Sequence, residues 1–197
     1  SLLAYAKESG TNITFVSKTY EHDIGLEGDH QRLNAAVAIK AVESLSGQFP
    51  VSLKMIIEGV KNASIRARFE KIKIGEKTII LDVAHNPAAV KTLVDTLSKS
   101  PMQTVAIFSA LIDKDIIEMV DLASSAIKHW YLVPLSSERA IESRALRNKF
   151  SSSDSTTICK DMKSAIQESL AHQDAERIVI FGSFYTIADA SIIINKL

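Results

Sequence analysis

Apolar positions along this chain change their period near residue 66. Before that point Leu33, Val37, Ala41 and Leu45 recur every four residues, the spacing of one helix face. They predict a helix running from Asp29, placed as its cap, to about Ser46. Short helices are expected over residues 2–9 and from Leu53 to Val60. The run Asn12 to Val16 reads as a strand and Gly25 to Gly28 as a turn, while Gly47, Pro50 and Ser52 interrupt the helical pattern. Beyond residue 66, Phe69, Ile72 and Ile74 lead through Gly75-Glu76 into Thr78–Leu81, a hairpin signal. Short apolar runs then alternate with amphipathic stretches. The expected order is helix 87–99, strand Thr104–Phe108, helix 114–128, strand Trp130–Val133, helix 141–149, strand Thr156–Cys159, helix 161–172, strand Arg177–Phe181 and helix 184–196.

That alternation predicts an α/β fold: a Rossmann-like, mostly parallel six-stranded sheet with helices on both faces. Its first strand, near residues 67–74, is expected to be antiparallel, because a short hairpin cannot join parallel neighbours. The change of period places a domain boundary near Lys61-Asn62-Ala63-Ser64, dividing residues 1–62 from residues 63–197.

Composition narrows the possible partners. Lys and Arg number 23 against 23 Asp and Glu, a balance that gives no support for binding nucleic acid or an anionic membrane. One cysteine, Cys159, leaves no internal disulfide framework and fits a reducing, cytoplasmic setting. No apolar run approaches the roughly 20 residues that span a bilayer. The start, Ser1-Leu2-Leu3, lacks both a methionine and a basic segment, so no secretion signal is expected and the start reads as a cut end.

Candidate chemistry gathers where the predicted strands end. Asp82 and His85 follow the strand Thr78–Leu81. Asn86 is then a good helix cap, and Pro87 sits where a missing N–H costs nothing. The start of a helix carries unpaired N–H groups and partial positive charge, which suits a carboxylate or a phosphate. Ligands of open α/β sheets bind at the carboxyl ends of the strands. On this fold that rim would collect Asp82 and His85, Ser109 with Asp113, Lys114 and Asp115, and Gly182 with Ser183. From the residues alone, Asp82 is equally an acid capping its own turn, Ser183 the cap of helix 184–196, and Arg68 a solvated surface arginine. Asp113 to Asp115 reads as a helix start with solvated charges.

Several stretches in fixed order resemble one family. Asp82-Val83-Ala84-His85-Asn86-Pro87 is similar to a signature of the folylpolyglutamate and dihydrofolate synthases, in the wider Mur ligase family. Leu26-Glu27-Gly28-Asp29-His30-Gln31-Arg32-Leu33-Asn34-Ala35-Ala36, Arg68-Phe69-Glu70 and Phe181-Gly182-Ser183-Phe184-Tyr185-Thr186 resemble the same family. Ser109-Ala110-Leu111-Ile112-Asp113-Lys114-Asp115 fits a looser pattern of it. The resemblance implies that residues 1–62 are the tail of a central ATP-binding domain. It implies that residues 63–197 are the carboxyl-terminal domain of a ligase joining glutamate to folates through an acyl phosphate.

Further expectations follow from the likeness. Arg68, Asp82 and Asn34, with His30 beside it, would contact ATP; His85 and Ser183 would shape the glutamate site. Arg68 would reach across a domain gap to phosphate, for which a guanidinium fork is suited. Next to a helix N-terminus, His85 is expected as a neutral donor rather than a cation. Val83 and Ser109 stand where family members often carry glycine and would narrow the pocket. The substrates implied are folate or dihydropteroate and L-glutamate, with ATP and Mg2+, in a monomeric enzyme.

What is missing matters too. The sequence holds seven glycines and no Gly-x-x-x-x-Gly-Lys-Ser/Thr, the loop that cradles phosphates. The P-loop, the Mg2+ ligands and the pteroate pocket would lie in an upstream ATPase domain of the same protein, and these 197 residues alone would be inactive. No Cys/His cluster suggests a metal site. Two other readings remain: the carboxyl-terminal domain of a Mur-type ligase for peptidoglycan precursors, and a non-catalytic Rossmann-like binding module. The ligase readings require the turns after residues 81 and 181 to open side by side, with Arg68 unburied on the same rim.

Overall fold

The computed structural model describes residues 2–197, which fall into two compact units, one running to Ser64 and the other Ile65–Leu197. The first holds α1 (Leu2–Ser9), α2 (His30–Ser44) and α3 (Leu53–Lys61). Ser52 caps α3 by accepting the Met55 N–H at 3.3 Å. Arg32 of α2 donates to the Tyr20 and His22 carbonyls at 2.9 and 3.0 Å and fixes the segment before the helix. Two expectations fail here. Residues 12–16 form no strand, since the unit offers them no second strand to pair with. Asp29 does stand at the cap position of α2, but in helical geometry and with no side-chain cap bond. The apolar face read on α2 is real in spacing, yet Leu33, Val37 and Leu45 are exposed.

The second unit is an α/β sandwich. Its elements are β1 (Glu70–Ile74), β2 (Lys77–Leu81), α4 (Pro87–Ser98), β3 (Thr104–Phe108), α5 (Ile116–Ser124), β4 (His129–Leu132), α6 (Ser143–Arg147), β5 (Thr156–Ile158), α7 (Met162–Ala171), β6 (Arg177–Phe181) and α8 (Phe184–Ile194). One six-stranded sheet has the order β1-β2-β6-β3-β4-β5. Only the β1–β2 pair is antiparallel, closed by a turn in which Gly75 takes φ +58°. The expected architecture is thus the observed one. Strands β3 and β6 are buried at every position, as strands covered on both faces must be, and only their first residues, Thr104 and Arg177, are not apolar.

Strand alternation divides the core into two layers. Ile80, Phe108, Trp130, Val179 and Phe181 face α4 and α5 through Val90, Leu93, Met119 and Val120. Ile79, Leu81, Ile107, Ile178 and Ile180 face α7 and α8 through Ile166, Ile187 and Ala190. Each fully buried Leu, Ile or Phe contributes about 1.5–3 kcal/mol relative to exposure. Adjacent parallel strands β2 and β6 therefore send their helices, α4 and α8, to opposite faces. Their carboxyl ends form a topological switch point, where open α/β sheets leave a crevice for ligands.

Candidate functional site at the β2–β6 switch point

Parallel register brings the two predicted turns together. Leu81 pairs with Ile180, the Asp82 N–H donates to the Ile180 carbonyl at 3.1 Å, and the Gly182 N–H donates to the Ala84 carbonyl at 2.9 Å. The His85 and Phe184 rings consequently lie 5.8 Å apart. Arg68 joins the same rim, because the Val83 N–H donates to the Ala67 carbonyl at 3.0 Å. Its side chain is exposed. Asn34 and His30 belong to the first unit, on the opening turns of α2, where the Asn34 amide donates to Gln31 Oε1 at 2.9 Å.

Each helix at the rim starts as its sequence dictates. Asn86 is extended and accepts the Ala89 N–H at 2.9 Å through Oδ1, with Pro87 in the first turn of α4. Ser183 is extended and accepts the Thr186 N–H at 3.0 Å, while its hydroxyl also shares a 2.8 Å bond with Thr186 Oγ1. Ser183 is 2% exposed. With that hydroxyl buried and engaged, what α8 offers an anion is its first-turn N–H groups and their partial positive charge.

His85 is half-buried, with Nδ1 2.8 Å from the Val83 carbonyl. A carbonyl only accepts, so Nδ1 carries the proton and points inward. In the neutral ring the donor expected of His85 is thus Nδ1, engaged by the Val83 carbonyl, and Nε2 is a lone-pair acceptor.

Asp82 turns inward as well. Its Oδ2 accepts the Phe69 N–H at 2.9 Å and its Oδ1 accepts the Ala84 N–H at 2.8 Å. One carboxylate thus joins the Arg68 loop to the His85 turn. That loop is strained: Ala67 and Phe69 take φ +57° and +52°, a region that costs a non-glycine residue on the order of 1–3 kcal/mol. Glu70 Oε2 holds it too, accepting the Ala67 N–H at 2.8 Å. In the sequence Glu70 stands out only as part of Arg68-Phe69-Glu70; nothing local announces this bond, because a capping box opens a helix and Glu70 opens a strand.

Gly182 has φ +114°, and a Cβ there would lie 2.0 Å from the Ser109 carbonyl oxygen. Only glycine lets β6 end so close to β3. Val83 is 3% exposed and Ser109 fully buried, so both side chains pack inside the sheet and neither narrows an open crevice, contrary to expectation. The Ser109 hydroxyl has no partner among the described residues. Asp115 caps α5 by accepting the Glu118 N–H at 3.3 Å, so the helix starts two residues later than expected. Asp113 is paired rather than merely solvated: Arg139 bonds it at 2.8 Å and Lys114 lies 3.2 Å away, and the two cations, Arg139 foremost, hold its carboxyl below the usual range. Among the described residues no group of three His, Cys, Asp or Glu is placed to hold a metal ion, and no helix is long and apolar enough to cross a membrane.

A doubly wound sheet whose switch point gathers the His85 turn, the backbone carrying Arg68 and the start of α8 has the build of a ligand-binding α/β domain. The family described as "Mur ligase, glutamate ligase domain" matches residues 67–184, more than half of the chain, and the chain belongs to the Mur ligase family. The dihydrofolate synthase/folylpolyglutamate synthase of Buchnera aphidicola subsp. Acyrthosiphon pisum is 32% identical over 145 residues, which are 72% of this chain and 35% of that protein. Escherichia coli FolC, solved in complex with DHPP and ADP, superposes with a TM-score of 0.74 at 27% identity, covering 84% of this chain and 39% of its own. A bifunctional folylpolyglutamate synthase/dihydrofolate synthase solved with Mn, AMPPNP and L-glutamate gives a TM-score of 0.71 at 29% identity, covering 83% of this chain and 39% of its own. This chain spans between 35% and 39% of the length of these relatives.

Proposed function

We propose that this chain is the carboxyl-terminal part of an ATP-dependent ligase of the folylpolyglutamate synthase/dihydrofolate synthase kind. Residues 1–62 would be the tail of its central ATP-binding domain and residues 63–197 its glutamate ligase domain. The observation that carries the reading is the common rim, where Arg68, His85 and the start of α8 meet at one switch point. The relatives bound to ADP, AMPPNP, DHPP and L-glutamate support the substrate classes. The reading is of a monomeric cytoplasmic enzyme, in keeping with the unpaired, buried Cys159 thiol.

In this reaction a carboxylate oxygen of the folate or pteroate attacks the γ-phosphorus of ATP, and ADP leaves. The glutamate nitrogen then attacks the acyl carbon and sheds a proton. Phosphate departs with the bridging oxygen. Such chemistry depends on placing the nucleophile and neutralising phosphate charge. Arg68 has the fork for phosphate oxygens, and the Nε2 lone pair of His85 suits the amine of glutamate. The start of α8 suits a glutamate carboxylate. Asp82 and Asn34, with His30 near it, remain the proposed ATP contacts, and Ser183 serves the glutamate site by capping α8. Among the described residues no group of three His, Cys, Asp or Glu would hold a metal; Mg2+, which assists transfer from ATP when bound, would take its ligands from elsewhere in the enzyme.

The deciding experiment expresses the full-length protein containing this chain and measures phosphate release and glutamylated product with Mg-ATP, L-glutamate and dihydropteroate or tetrahydrofolate. Turnover with a folate supports the reading. Turnover only with a UDP-muramoyl precursor would replace it with a peptidoglycan ligase, and no turnover with either would leave a binding module. In an active enzyme His85→Ala should raise the KM for glutamate and Arg68→Ala that for ATP. The 197 residues alone should turn nothing over.

A further inference from the structure

The Arg68 loop is held more firmly than its solvent exposure requires. Ala67 and Phe69 both sit in the left-handed region, with Arg68 between them. Their side chains are buried on opposite faces of the sheet, Ala67 among the α7–α8 layer and Phe69 among the α4–α5 layer. Three bonds pin the backbone between these anchors. Glu70 Oε2 accepts the Ala67 N–H at 2.8 Å, the Val83 N–H reaches the Ala67 carbonyl at 3.0 Å, and Asp82 Oδ2 accepts the Phe69 N–H at 2.9 Å. These bonds hold the backbone of Ala67 and Phe69, and the Arg68 side chain between them is exposed.

Glu70 closes this arrangement locally. It opens β1 with a side chain 22% exposed, and its carboxylate also lies 2.7 Å from Arg66 Nε. Arg66 and Ala67 are therefore bound to one carboxylate on the near side of Arg68. Strained non-glycine backbone persists only where its surroundings over-determine it, and such strain concentrates at ligand clamps. A plain helix or strand cap would need neither two left-handed residues nor burial on two faces.

We propose that Glu70 is a positioning residue for Arg68: it holds the strained turn in the one geometry that presents the guanidinium, ready-made, to the phosphates of the nucleotide. The inference rests on the ligase reading for the identity of the anion. Its physical content is that Glu70 acts only through Arg68, and that the cost of ordering the backbone that carries the guanidinium is met on folding rather than on binding.

The test is a double-mutant cycle in the full-length ligase, using Glu70→Ala, Arg68→Ala and the pair. Glu70→Ala should raise the KM for ATP about tenfold, as expected for a misplaced binding group, and leave the KM for glutamate unchanged. Glu70→Gln should recover most of the loss, because its amide oxygen still accepts the Ala67 N–H. In the Arg68→Ala background Glu70→Ala should add nothing. Additive losses, or equal rises in both KM values, would overturn the inference while leaving the ligase reading intact. The 197-residue chain supplies a second readout that needs no turnover. Glu70→Ala should speed hydrogen exchange at the Ala67 and Phe69 amides and leave β2 and β6 protected. Unchanged protection at those two amides overturns the inference even if ligase activity is absent.

Discussion

The Asp82 carboxylate accepts the Phe69 backbone N–H at 2.9 Å, tying together residues thirteen apart in the chain. Its other oxygen accepts the Ala84 N–H at 2.8 Å. One side chain thus sets the spacing between the Arg68 loop and the turn that carries His85. Removing it exposes two effects of opposite sign. Leaving buried N–H groups without acceptors costs about 1–3 kcal/mol, but freeing Phe69 lets its left-handed backbone relax and returns on the order of 1–3 kcal/mol. Asp82→Ala should therefore lower stability by less than about 2 kcal/mol in urea unfolding, while the Phe69 amide exchanges much faster. Asp82→Asn is no milder, since its NH2 group would face one of the two N–H donors. A loss of more than about 4 kcal/mol would show that the loop is not strained in solution.

A second prediction concerns the opposite end of the sheet, where His129 is set between Ser155 Oγ at 2.7 Å and Thr157 Oγ1 at 2.9 Å. The His172 ring lies 5.3 Å away. Tyr131 packs on the His129 ring and bonds His172 Nδ1 at 2.8 Å, and Glu168 is the acid in reach. Burial lowers the pKa of His129 from its ordinary 6.5, the His172 charge lowers it further, and Glu168 opposes them. The unfolded chain then binds this proton more readily than the folded one, so stability rises with pH. Its contribution is complete above pH 6.5 and is lost as pH falls through 6.5 toward the depressed folded value. The urea midpoint should drop between pH 7.5 and 5.5, and His129→Gln should flatten that slope. Asp113 and Asp161 have their pKa values lowered from 3.8, so their stabilisation fades only as pH falls through that range. An unchanged slope in His129→Gln would assign the effect to another group.

Arg177 is a buried cation with no carboxylate bonded to it among the described residues. At 4% exposure it donates through Nε to Thr104 Oγ1 at 2.9 Å and through Nη1 to the Ser100 and Leu97 carbonyls at 2.9 and 3.4 Å. Burial lowers its pKa, but the bonded carbonyls at the end of α4 are where a cation is favoured. Arg177→Met keeps the volume and removes every donor, which should cost about 2–3 kcal/mol in urea unfolding. Arg177→Lys should fall between, because a single ammonium cannot span Thr104 and Ser100 as the fork does. If Met were neutral, the bonds would contribute nothing net.

These atom-level roles mark where the sequence stops being readable. The sheet was legible because β3 and β6 are apolar at every position after their first residue and α4, α7 and α8 carry Asn, Asp or Ser caps at their starts. The common rim followed from that pattern, since parallel neighbours with helices on opposite faces must open together. Asn12 to Val16 looked like a strand for the same apolar reason, but a strand needs a partner and none lies among the described residues of its unit. Helix α5 covers 116–124 rather than 114–128, because Asp115 caps it and the chain turns off after Ser125. The strained turn at residues 67–69 could not be read at all: nothing in Ala or Phe announces φ above zero. The local roles of Asp82 and Ser183, turn acid and helix cap, were legible; the second bond of Asp82, to the Phe69 N–H, was not, because its donor lies thirteen residues away.

Gly182 offers the sharpest check on the rim. Its φ of +114° lies where L side chains are strained, and a Cβ would fall 2.0 Å from the Ser109 carbonyl oxygen and 2.7 Å from the Phe108 ring. Neither neighbour can yield: Ser109 is backbone at the end of the central strand, and Phe108 packs on Phe181 at 4.9 Å. Gly182→Ala should therefore destabilise the domain by more than about 3 kcal/mol, as an overpacked core position with incompatible φ does. The first effect should appear at the junction of β6 with α8, loosening the Gly182 N–H bond to Ala84 and with it the His85–Phe184 contact. Faster exchange at the Gly182 and Thr186 amides, with Ile178 still protected, would show that order of events. A Gly182→Ala chain of unchanged stability would mean that β6 does not end against Ser109, and the close approach of the two turns would have to be abandoned.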